Sequence, residues 1–373
     1  MNPKKLLIVG DFISGSGLTQ FIFNVFSNFD KNDYHIQCIG YGIDKKREIN
    51  NRCKINGWQL DRVIPVTKNP LKHILWWRKF FKENDFDFVY FNYSSSWNYM
   101  PIKLARRYTH AKIVCHSHNS YYSHTFNNNF LMKILDTLND RGKIIFNKDS
   151  DIKIATSEDA AIWMFDTLKE VSVINNGLDL KKYRFDEKAR AILRKQLDVS
   201  SDEKLVGFAG VLQERKNSML VLDIFAQYVH TYPNSTLLMI GSGPLKEKIE
   251  KRARYLNINK KLKLIDYTDK LNKWYSAMDI LIFPSLYEGF GLVPLEAQVS
   301  NLPILASEYV APQVFATENI QRIIGLNREK WVQILENTKS KNEDERKKID
   351  VRLKKFDIKN QAREIINILE KEK

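Results

Sequence analysis

Two glutamates flank a glycine-rich turn. Glu288 is followed by Gly289 and Gly291, and a second acid, Glu296, stands eight residues after the first. The apolar run DILIFPS before the turn predicts a buried strand, and Pro294 suits the first turn of a helix that runs through LEAQVS. Unpaired N–H groups at a helix start favour an anion such as phosphate, and glycines let the backbone approach it closely. We therefore expect a phosphate-binding turn here.

A carboxylate repels phosphate, so the two acids are expected to bind other groups than the phosphate held by the turn. Carboxylates on either side of a diphosphate are useful if they accept hydrogen bonds from hydroxyl groups. A nucleotide-sugar offers this order: ribose, diphosphate, sugar. The hypothesis is that Glu288 holds the transferred sugar and Glu296 the ribose. The diphosphate would then lie along the backbone of Gly289, Phe290, Gly291 and Leu292. Two simpler interpretations stay open: Glu296 only caps the helix, and Glu288 is a solvated loop acid.

A basic pair follows another predicted strand, in GFAGVLQERKN. The strand is expected to end at Gly210, and Lys216 to begin the next helix. A lysine there can act as a point charge on a diphosphate leaving group, with Arg215 as a neighbouring candidate. In so basic a chain, an ordinary surface lysine is the alternative.

Two further loops of the first half carry candidate residues. Gly15 and Gly17 separate the first strand from its helix, where a glycine turn permits close approach to phosphate, although a simple tight turn explains them equally well. His116 and His118 end the strand AKIVCHS. No third ligand of clear spacing follows this His-x-His pair, so no metal site is predicted. The alternatives for His118 are a sugar contact and an ordinary loop histidine.

These loops need strands and helices to position them. Apolar β-branched runs alternate with amphipathic segments throughout, which predicts parallel sheets covered by helices. The pattern repeats in the second half, so we predict an α/β protein of two Rossmann-like doubly wound domains facing a central cleft. The predicted domains are residues 1–180 and 181–355, with a C-terminal helix over 356–373 that packs on the first domain. Every candidate residue falls at the carboxyl end of a strand, where open α/β sheets bind ligands.

The composition and net charge of the chain indicate which kinds of molecule it can bind. The chain has 373 residues, 43% of them hydrophobic, and a formal net charge of +15. Such a surface favours anions, which raises nucleic-acid binding as an alternative function. Against it, no nucleic-acid-binding module is recognisable and the basic residues are dispersed. Cys38, Cys53 and Cys115 show no paired spacing and predict buried thiols in a reducing cytoplasm. Neither a membrane span nor a signal peptide is predicted.

One segment suggests contact with a membrane surface. LKHILWWRKFFKEN, over Leu71–Asn84, combines four aromatic residues with four basic ones and fits a helix lying at the inner face of the cell membrane. The alternative is that most of these aromatic side chains pack on the sheet, with one or two left exposed.

The motifs together resemble the retaining glycosyltransferases of family 4, which have the GT-B fold. The likeness covers almost the whole chain and rests on the Glu288-to-Glu296 spacing in PSLYEGFGLVPLEAQ, on AGVLQERKN and IGSGPLKEKI, and on VINNGLDLKKY, SAMDILIFPS and HSHNS. Within the family, the chain resembles bacterial exopolysaccharide and capsule glycosyltransferases.

The resemblance implies a specific chemistry. A sugar would pass from a nucleoside diphosphate, UDP first of all, to a glycan or lipid-linked glycan, with retained configuration and without a required metal or other cofactor. It implies sugar contacts for Glu288 and His118 and a diphosphate contact for Lys216. The acceptor would attack from the face that the leaving group vacates, and a phosphate oxygen would take its proton.

The chain departs from the family pattern at two positions. Val211 stands where the family commonly has an arginine, so Arg215 is a candidate replacement, and a catalytically weak partner subunit is an alternative function. Asp266 stands where glycine is frequent, which leaves the nucleotide base open.

Overall fold

The chain folds as two compact units. This computed structural model describes residues 2–41, 48–122 and 128–371. Unit 1 contains the described residues up to Gly177 together with those from Ile358 onward, and unit 2 spans Leu178–Asp357. The chain thus leaves unit 1 after Gly177 and returns to it for its last helix.

Unit 1 is built on a seven-stranded parallel sheet. The strand order is β3-β2-β1-β4-β5-β6-β7. The strands are β1 (Lys4–Gly10), β2 (Tyr34–Tyr41), β3 (Gln59–Val63), β4 (Phe88–Tyr93), β5 (Lys112–Ser117), β6 (Ile152–Ala155) and β7 (Val171–Val173). The helices between them are α1 (Gly17–Phe26), α2 (Glu48–Asn56), α3 (Pro70–Glu83), α4 (Met100–Tyr108), α5 (Asn129–Asp149) and α6 (Glu158–Phe165). Two separate clusters of buried apolar side chains involve the sheet, as expected for strands covered on both faces.

Unit 2 repeats this plan with six strands. Their order is β10-β9-β8-β11-β12-β13, again all parallel. The strands are β8 (Lys204–Ala209), β9 (Ser235–Ile240), β10 (Leu262–Ile265), β11 (Ile280–Phe283), β12 (Ile304–Ser307) and β13 (Ile320–Ile323). The helices are α7 (Glu187–Leu197), α8 (Ser218–Thr231), α9 (Lys246–Tyr255), α10 (Leu271–Ala277), α11 (Leu292–Val299), α12 (Arg328–Asn337) and α13 (Glu343–Lys347).

The last helix, α14 (Ile358–Glu370), completes unit 1. It packs on α1, and its Ile365 and Leu369 are fully buried in the same apolar cluster as Phe21 and Ile22. At its end, Glu370 accepts hydrogen bonds from Lys4 Nζ at 2.8 Å and from the Tyr34 hydroxyl at 2.9 Å.

Each sheet reverses its winding direction once. The reversal lies between β1 and β4 in unit 1 and between β8 and β11 in unit 2. Loops at the carboxyl ends of such strands diverge and leave a crevice in which open α/β sheets bind their ligands. The candidate residues of unit 2 follow β8 and β11, the two strands at its reversal.

Helix α3 buries most of its aromatic side chains. Trp77, Phe80 and Phe81 lie in the unit 1 core, and Trp76 is half-buried and stacked on Phe80 with ring centroids 5.0 Å apart. The solvent face instead carries leucines and basic residues: Leu71, Lys72, Leu75, Arg78, Lys79 and Lys82. The alternative interpretation, packing on the sheet, therefore explains Trp77, Phe80 and Phe81, and contact of this helix with a membrane surface stays a prediction.

No helix in the described ranges combines the length and the apolar character that crossing a bilayer requires.

Candidate active site

The loops after β8 and β11 are joined directly in unit 2. The Leu286 N–H, after β11, donates to the Arg215 carbonyl, after β8, at 2.8 Å. Lys216 ends a short 3-10 turn over Glu214–Lys216, Asn217 takes a left-handed conformation with φ of 52°, and α8 starts only at Ser218. Lys216 therefore precedes the helix instead of beginning it, and this turn sets it beside the β11 loop.

Lys216 and Glu288 form a buried ion pair. The Lys216 ammonium donates to Glu288 Oε1 and lies 4.9 Å from the centre of the Phe283 ring. The Lys216 side chain is 11% exposed and the Glu288 side chain 8%. The two simpler interpretations, a surface lysine at 216 and a solvated loop acid at 288, are therefore wrong. The two residues predicted from separate motifs are brought together by the structure.

The ion pair changes the pKa of both partners. Burial opposes ionisation of Glu288, but Lys216 and then Arg215 outweigh it and hold the pKa of this carboxyl below its ordinary value. Burial lowers the pKa of the Lys216 ammonium, and the Glu288 carboxylate opposes that change. Glu288 is thus a carboxylate at neutral pH and helps Lys216 to keep its proton.

Arg215 stands next to this pair. Its Nη1 donates to the Tyr287 carbonyl at 2.9 Å and lies 3.9 Å from Glu288 Oε2. Two cations thus face one carboxylate, which leaves a local excess of positive charge suited to an anion.

The glycine-rich turn leads into α11. The helix begins at Leu292, and Gly291 precedes it with φ of 105°, where a Cβ atom would lie 2.9 Å from Val310 Cγ1. Pro294 is the third helical residue, within the first turn as predicted. Phe290 is different: its side chain is buried against Phe356, with ring centroids 6.0 Å apart. Any contact of Phe290 with a ligand must therefore use its backbone.

Glu296 has partners of its own. It is the fifth residue of α11, too far into the helix for the capping role, and it accepts a hydrogen bond from the Tyr275 hydroxyl at 2.7 Å. Burial raises the pKa of Glu296 to about 7, although hydrogen bonds from Tyr275 and Tyr183 oppose this shift. At neutral pH this carboxyl is near its titration midpoint, unlike Glu288.

In unit 1, the glycine turn after β1 leads directly into α1. Gly15 has a left-handed φ of 82°. Ser16 accepts a hydrogen bond from the Thr19 N–H at 3.3 Å and caps the helix. A Cβ atom on Gly17, the first helical residue, would meet nothing within 4 Å in the described structure. Space beside Gly17 therefore remains for a ligand.

The two histidines of unit 1 are buried at the carboxyl end of β5. Their ring centroids are 4.1 Å apart, and His118 packs against the Phe21 ring at 4.4 Å. His118 Nε2 lies 3.0 Å from Asn92 Oδ1, and His116 Nδ1 lies 2.9 Å from the Tyr90 hydroxyl. Burial lowers the pKa of His118 to about 3, so its ring is neutral.

Two groups of side chains that contact the candidate residues were not predicted from the sequence. Tyr275 and Tyr183, which hold Glu296, lie in helical and loop segments with no distinguishing motif. Asn92 did carry a signal, because it is an amide near the end of the apolar and aromatic strand FVYFNY, and the His-x-His strand follows it in the chain. Among the described residues, no cluster of three or more His, Cys, Asp or Glu side chains is arranged to hold a metal ion.

Comparison with known families identifies both halves of the chain. The family model of Glycosyl transferases group 1 matches residues 189–368, and the model of Glycosyltransferase Family 4 matches residues 15–182. Together they cover nearly the whole chain. The chain belongs to the family 4 glycosyltransferases. The family predicted from the motifs is thereby confirmed.

Relatives of this glycosyltransferase occur in several bacteria. EpsF of Bacillus subtilis, assigned as a glycosyltransferase, is 26% identical over 322 residues, which are 84% of this chain and 82% of EpsF. An Escherichia coli protein, UDP-Gal:alpha-D-GlcNAc-diphosphoundecaprenol alpha-1,3-galactosyltransferase, is 28% identical over 142 residues, or 37% of this chain and 36% of that one. The crystal structure of Anabaena HepE in complex with UDP and glucose matches with a TM-score of 0.79 at 16% identity, covering 98% of this chain and 99% of HepE. With the two Rossmann-like sheets, this likeness confirms the predicted GT-B fold.

Val211 occupies the position at which the family resemblance predicts an arginine. It follows Gly210, the residue just after β8, and is 40% exposed. No cation can come from this position, whereas Arg215, four residues later, reaches the Glu288 carboxylate.

Proposed function

We propose that this family 4 glycosyltransferase moves a sugar from a nucleoside diphosphate donor, UDP first of all, to a hydroxyl of a glycan or lipid-linked glycan. The reaction retains the configuration of the sugar and serves the synthesis of a bacterial surface polysaccharide. The observation that carries the proposal is the buried Lys216–Glu288 ion pair beside Arg215, on the loops where the unit 2 sheet reverses.

The charges of this cluster suit a diphosphate. Lys216 and Arg215 carry two positive charges against the single negative charge of Glu288, so an entering diphosphate meets a net attraction. When the sugar leaves, negative charge grows on the diphosphate, and preorganised cations in a buried site stabilise it strongly. In the proposed reaction this chain supplies that charge through Lys216 and Arg215, and a metal ion is not required.

Donor binding also gives Glu288 a role toward the sugar. Once phosphate oxygens compete for the Lys216 ammonium, oxygens of the Glu288 carboxylate can accept hydrogen bonds from sugar hydroxyls. Glu288 would thus hold the transferred sugar next to the leaving group. His118, a neutral ring at the carboxyl end of β5, is proposed as a second sugar contact on the basis of the family resemblance.

The start of α11 and Glu296 complete the proposed donor site. Backbone N–H groups from Gly289 to Leu292 precede or open the helix and would bind phosphate oxygens. Glu296 would accept hydrogen bonds from the ribose. Gly15 and Gly17 would admit the donor at the start of α1, where Gly17 leaves space.

Retention follows from how the acceptor would react. We propose that its hydroxyl attacks from the face that the diphosphate leaves, and that a phosphate oxygen takes its proton. Lys216 and Arg215 hold that phosphate, so these residues position the base as well as the leaving group. No protein nucleophile takes part in this scheme.

The relatives support the choice of substrates. HepE is described with UDP and glucose, which supports UDP as the nucleotide here. The name of the Escherichia coli relative specifies UDP-Gal and a sugar on diphosphoundecaprenol, which supports a lipid-linked acceptor. Sugar transfer to such an acceptor would take place at the inner face of the cell membrane. There the exposed face of α3, with Leu71, Leu75 and its basic residues, is the proposed point of contact.

A panel of nucleotide-sugars tests the proposal. A donor that binds the folded protein raises its melting temperature by mass action, and the true donor should give the largest rise. That donor is then incubated with lipid-linked glycan acceptors, and NMR of the product gives the anomeric configuration. An inverted product would refute retention. Donor binding without transfer to any acceptor would favour the catalytically weak partner subunit, and strong salt-sensitive retention of nucleic acid without donor binding would favour the nucleic-acid alternative.

A further inference from the structure

Asn92 bridges three neighbouring strands of unit 1. It is the next-to-last residue of β4, faces His116 of β5 in the strand register, and is fully buried. Its amide reaches toward Val9 of β1 on one side and His118, just after β5, on the other. Because its contacts differ on the two sides, this amide has a defined orientation.

The Val9 carbonyl sets that orientation. Asn92 Nδ2 donates to the Val9 carbonyl at 3.3 Å, and Asn92 Oδ1 lies 3.0 Å from His118 Nε2. If the amide were rotated by half a turn, its oxygen would face the Val9 oxygen and neither could donate. Only one orientation is compatible with the carbonyl, which is how amide oxygens and nitrogens are distinguished.

The amide in turn determines the state of the His118 ring. Asn92 Oδ1 can only accept, so His118 Nε2 must carry a hydrogen. A neutral imidazole has one N–H, and His118 is neutral because burial lowers its pKa to about 3. Nδ1 therefore has a lone pair, and in the described part of the chain it has no hydrogen-bond partner.

The described residues around the ring add no charge. Among them, the titratable neighbours are His116 and, behind it, Tyr90. Burial, and next the neighbouring His118, lowers the pKa of His116, and burial raises that of Tyr90, so both are neutral at neutral pH. The third neighbour, Phe21, is apolar. The hydrogen bond to Asn92 is the contact that distinguishes the two ring nitrogens.

We propose that Asn92 is a positioning residue that holds His118 in the Nε2–H tautomer and so makes Nδ1 an acceptor for a ligand hydroxyl. A ring in this state attracts O–H groups and repels carboxylate or phosphate oxygens, which have no hydrogen to donate. If His118 contacts the transferred sugar, it selects a sugar that offers a hydroxyl over one that offers a carboxylate. The ligand in this last step rests on the proposed function, whereas the tautomer does not.

Nitrogen NMR of the free protein tests the tautomer. Protein labelled with ¹⁵N-histidine is recorded at pH 7, and the His118 signals are identified by their loss in His118→Gln. We expect a protonated Nε2 and an unprotonated Nδ1, unchanged down to pH 5. Asn92→Leu keeps the size of the side chain but removes the acceptor, so a buried Nε2–H would lose its partner and the ring should shift toward Nδ1–H.

Tyr90→Phe serves as the matched control. It removes a buried hydrogen-bond partner from the adjacent His116 and should alter the His116 signals while leaving the His118 tautomer in place. A wild-type His118 with its hydrogen on Nδ1, or an Asn92→Leu protein that keeps Nε2–H to the wild-type extent, would overturn the proposal. If Asn92→Leu does not fold, the wild-type spectrum alone decides. If the tautomer is as expected and no nucleotide-sugar binds, the proposed function fails and the role of Asn92 stands.

Discussion

The Lys216 ammonium and the Glu288 carboxylate, 72 residues apart in the chain, form a buried ion pair between the loops that follow β8 and β11. The two loops belong to neighbouring strands at the point where the unit 2 sheet reverses. A pair of opposite charges removed from water is stable only while both partners remain, since the loss of one leaves the other uncompensated. Substitution at either residue therefore has an effect on the other that can be measured.

Glu288→Gln should shift the pH dependence of activity. The carboxylate opposes the fall in the Lys216 pKa that burial causes, so its removal lowers that pKa further. If charged Lys216 is required, the alkaline limb of kcat/KM against pH moves to lower pH. Glu214→Gln, at an exposed acid in the adjacent 3-10 turn, is the control and should leave the profile in place. An unshifted alkaline limb in Glu288→Gln would show that Lys216 does not control it.

Arg215→Ala should reduce kcat/KM by about 100-fold, the effect of losing one preorganised donor to a developing charge. The family resemblance predicts an arginine at the position of Val211, so Val211→Arg in the Arg215→Ala background should recover a large part of the loss. Val211 is exposed enough to accept the longer side chain. Steady-state kinetics of the single and double variants measure this. Unchanged turnover in Arg215→Ala would remove the compensation hypothesis.

Glu296→Gln should stabilise the free protein at alkaline pH. The folded-state pKa of about 7 lies above the ordinary value, so between these values the folded protein keeps a proton that the unfolded chain has lost. The stability of the wild type therefore falls as the pH rises from about 4.5 to 7, and glutamine avoids this loss. From pH 5 to pH 8 the difference in unfolding free energy should grow by about 2–3 kcal/mol in favour of Glu296→Gln.

Denaturant unfolding at the two pH values gives this difference. Glu318→Gln, at a highly exposed acid of the same unit, should show no such growth. An equal effect of Glu296→Gln at pH 5 and pH 8 would mean that Glu296 titrates normally.

Replacing each of two glycines with alanine should lower stability at one position and weaken donor binding at the other. Gly291→Ala places a side chain at a φ of 105° and within 2.9 Å of Val310, and should destabilise the protein by about 1–3 kcal/mol. Gly17→Ala meets no atom of the described residues and should leave the melting temperature unchanged or slightly higher, while it weakens donor binding. Thermal melts with and without UDP measure both effects. Full donor affinity in Gly17→Ala would exclude a close approach of the donor to this turn.

The fold was largely predictable because parallel strands buried on both faces form continuous apolar runs, as in KLLIVG for β1 and STLLMI for β9. Strand β13 was missed: its sequence IQRI is short, its two central residues are exposed, and it lies at the edge of the sheet. The start of α8 was misplaced because a 3-10 turn and a left-handed Asn217 precede it, and no hydrophobic period marks such a turn.

The candidate site was predictable where a residue follows a strand end, as do Lys216, Glu288 and His118. Contacts between these residues could not be predicted, because they depend on which strands lie side by side. The Lys216–Glu288 pair exists since β8 and β11 are neighbours, although β9 and β10 lie between them in the chain. Tyr275 could not be assigned to Glu296, because their contact depends on how α10 packs against α11.

The position of α14 has a consequence for biosynthesis. Ile365 and Leu369 fill the same interior as Phe21 and Ile22 of α1, so unit 1, most of which is synthesised before unit 2, lacks part of its interior until the codons of α14 are translated. A ribosome stalled before α14 would hold a nascent chain in which the apolar side chains of unit 1 that α14 covers are still exposed to chaperones. All residues of unit 2 precede α14, so unit 2 would be the first unit with all of its residues available for folding.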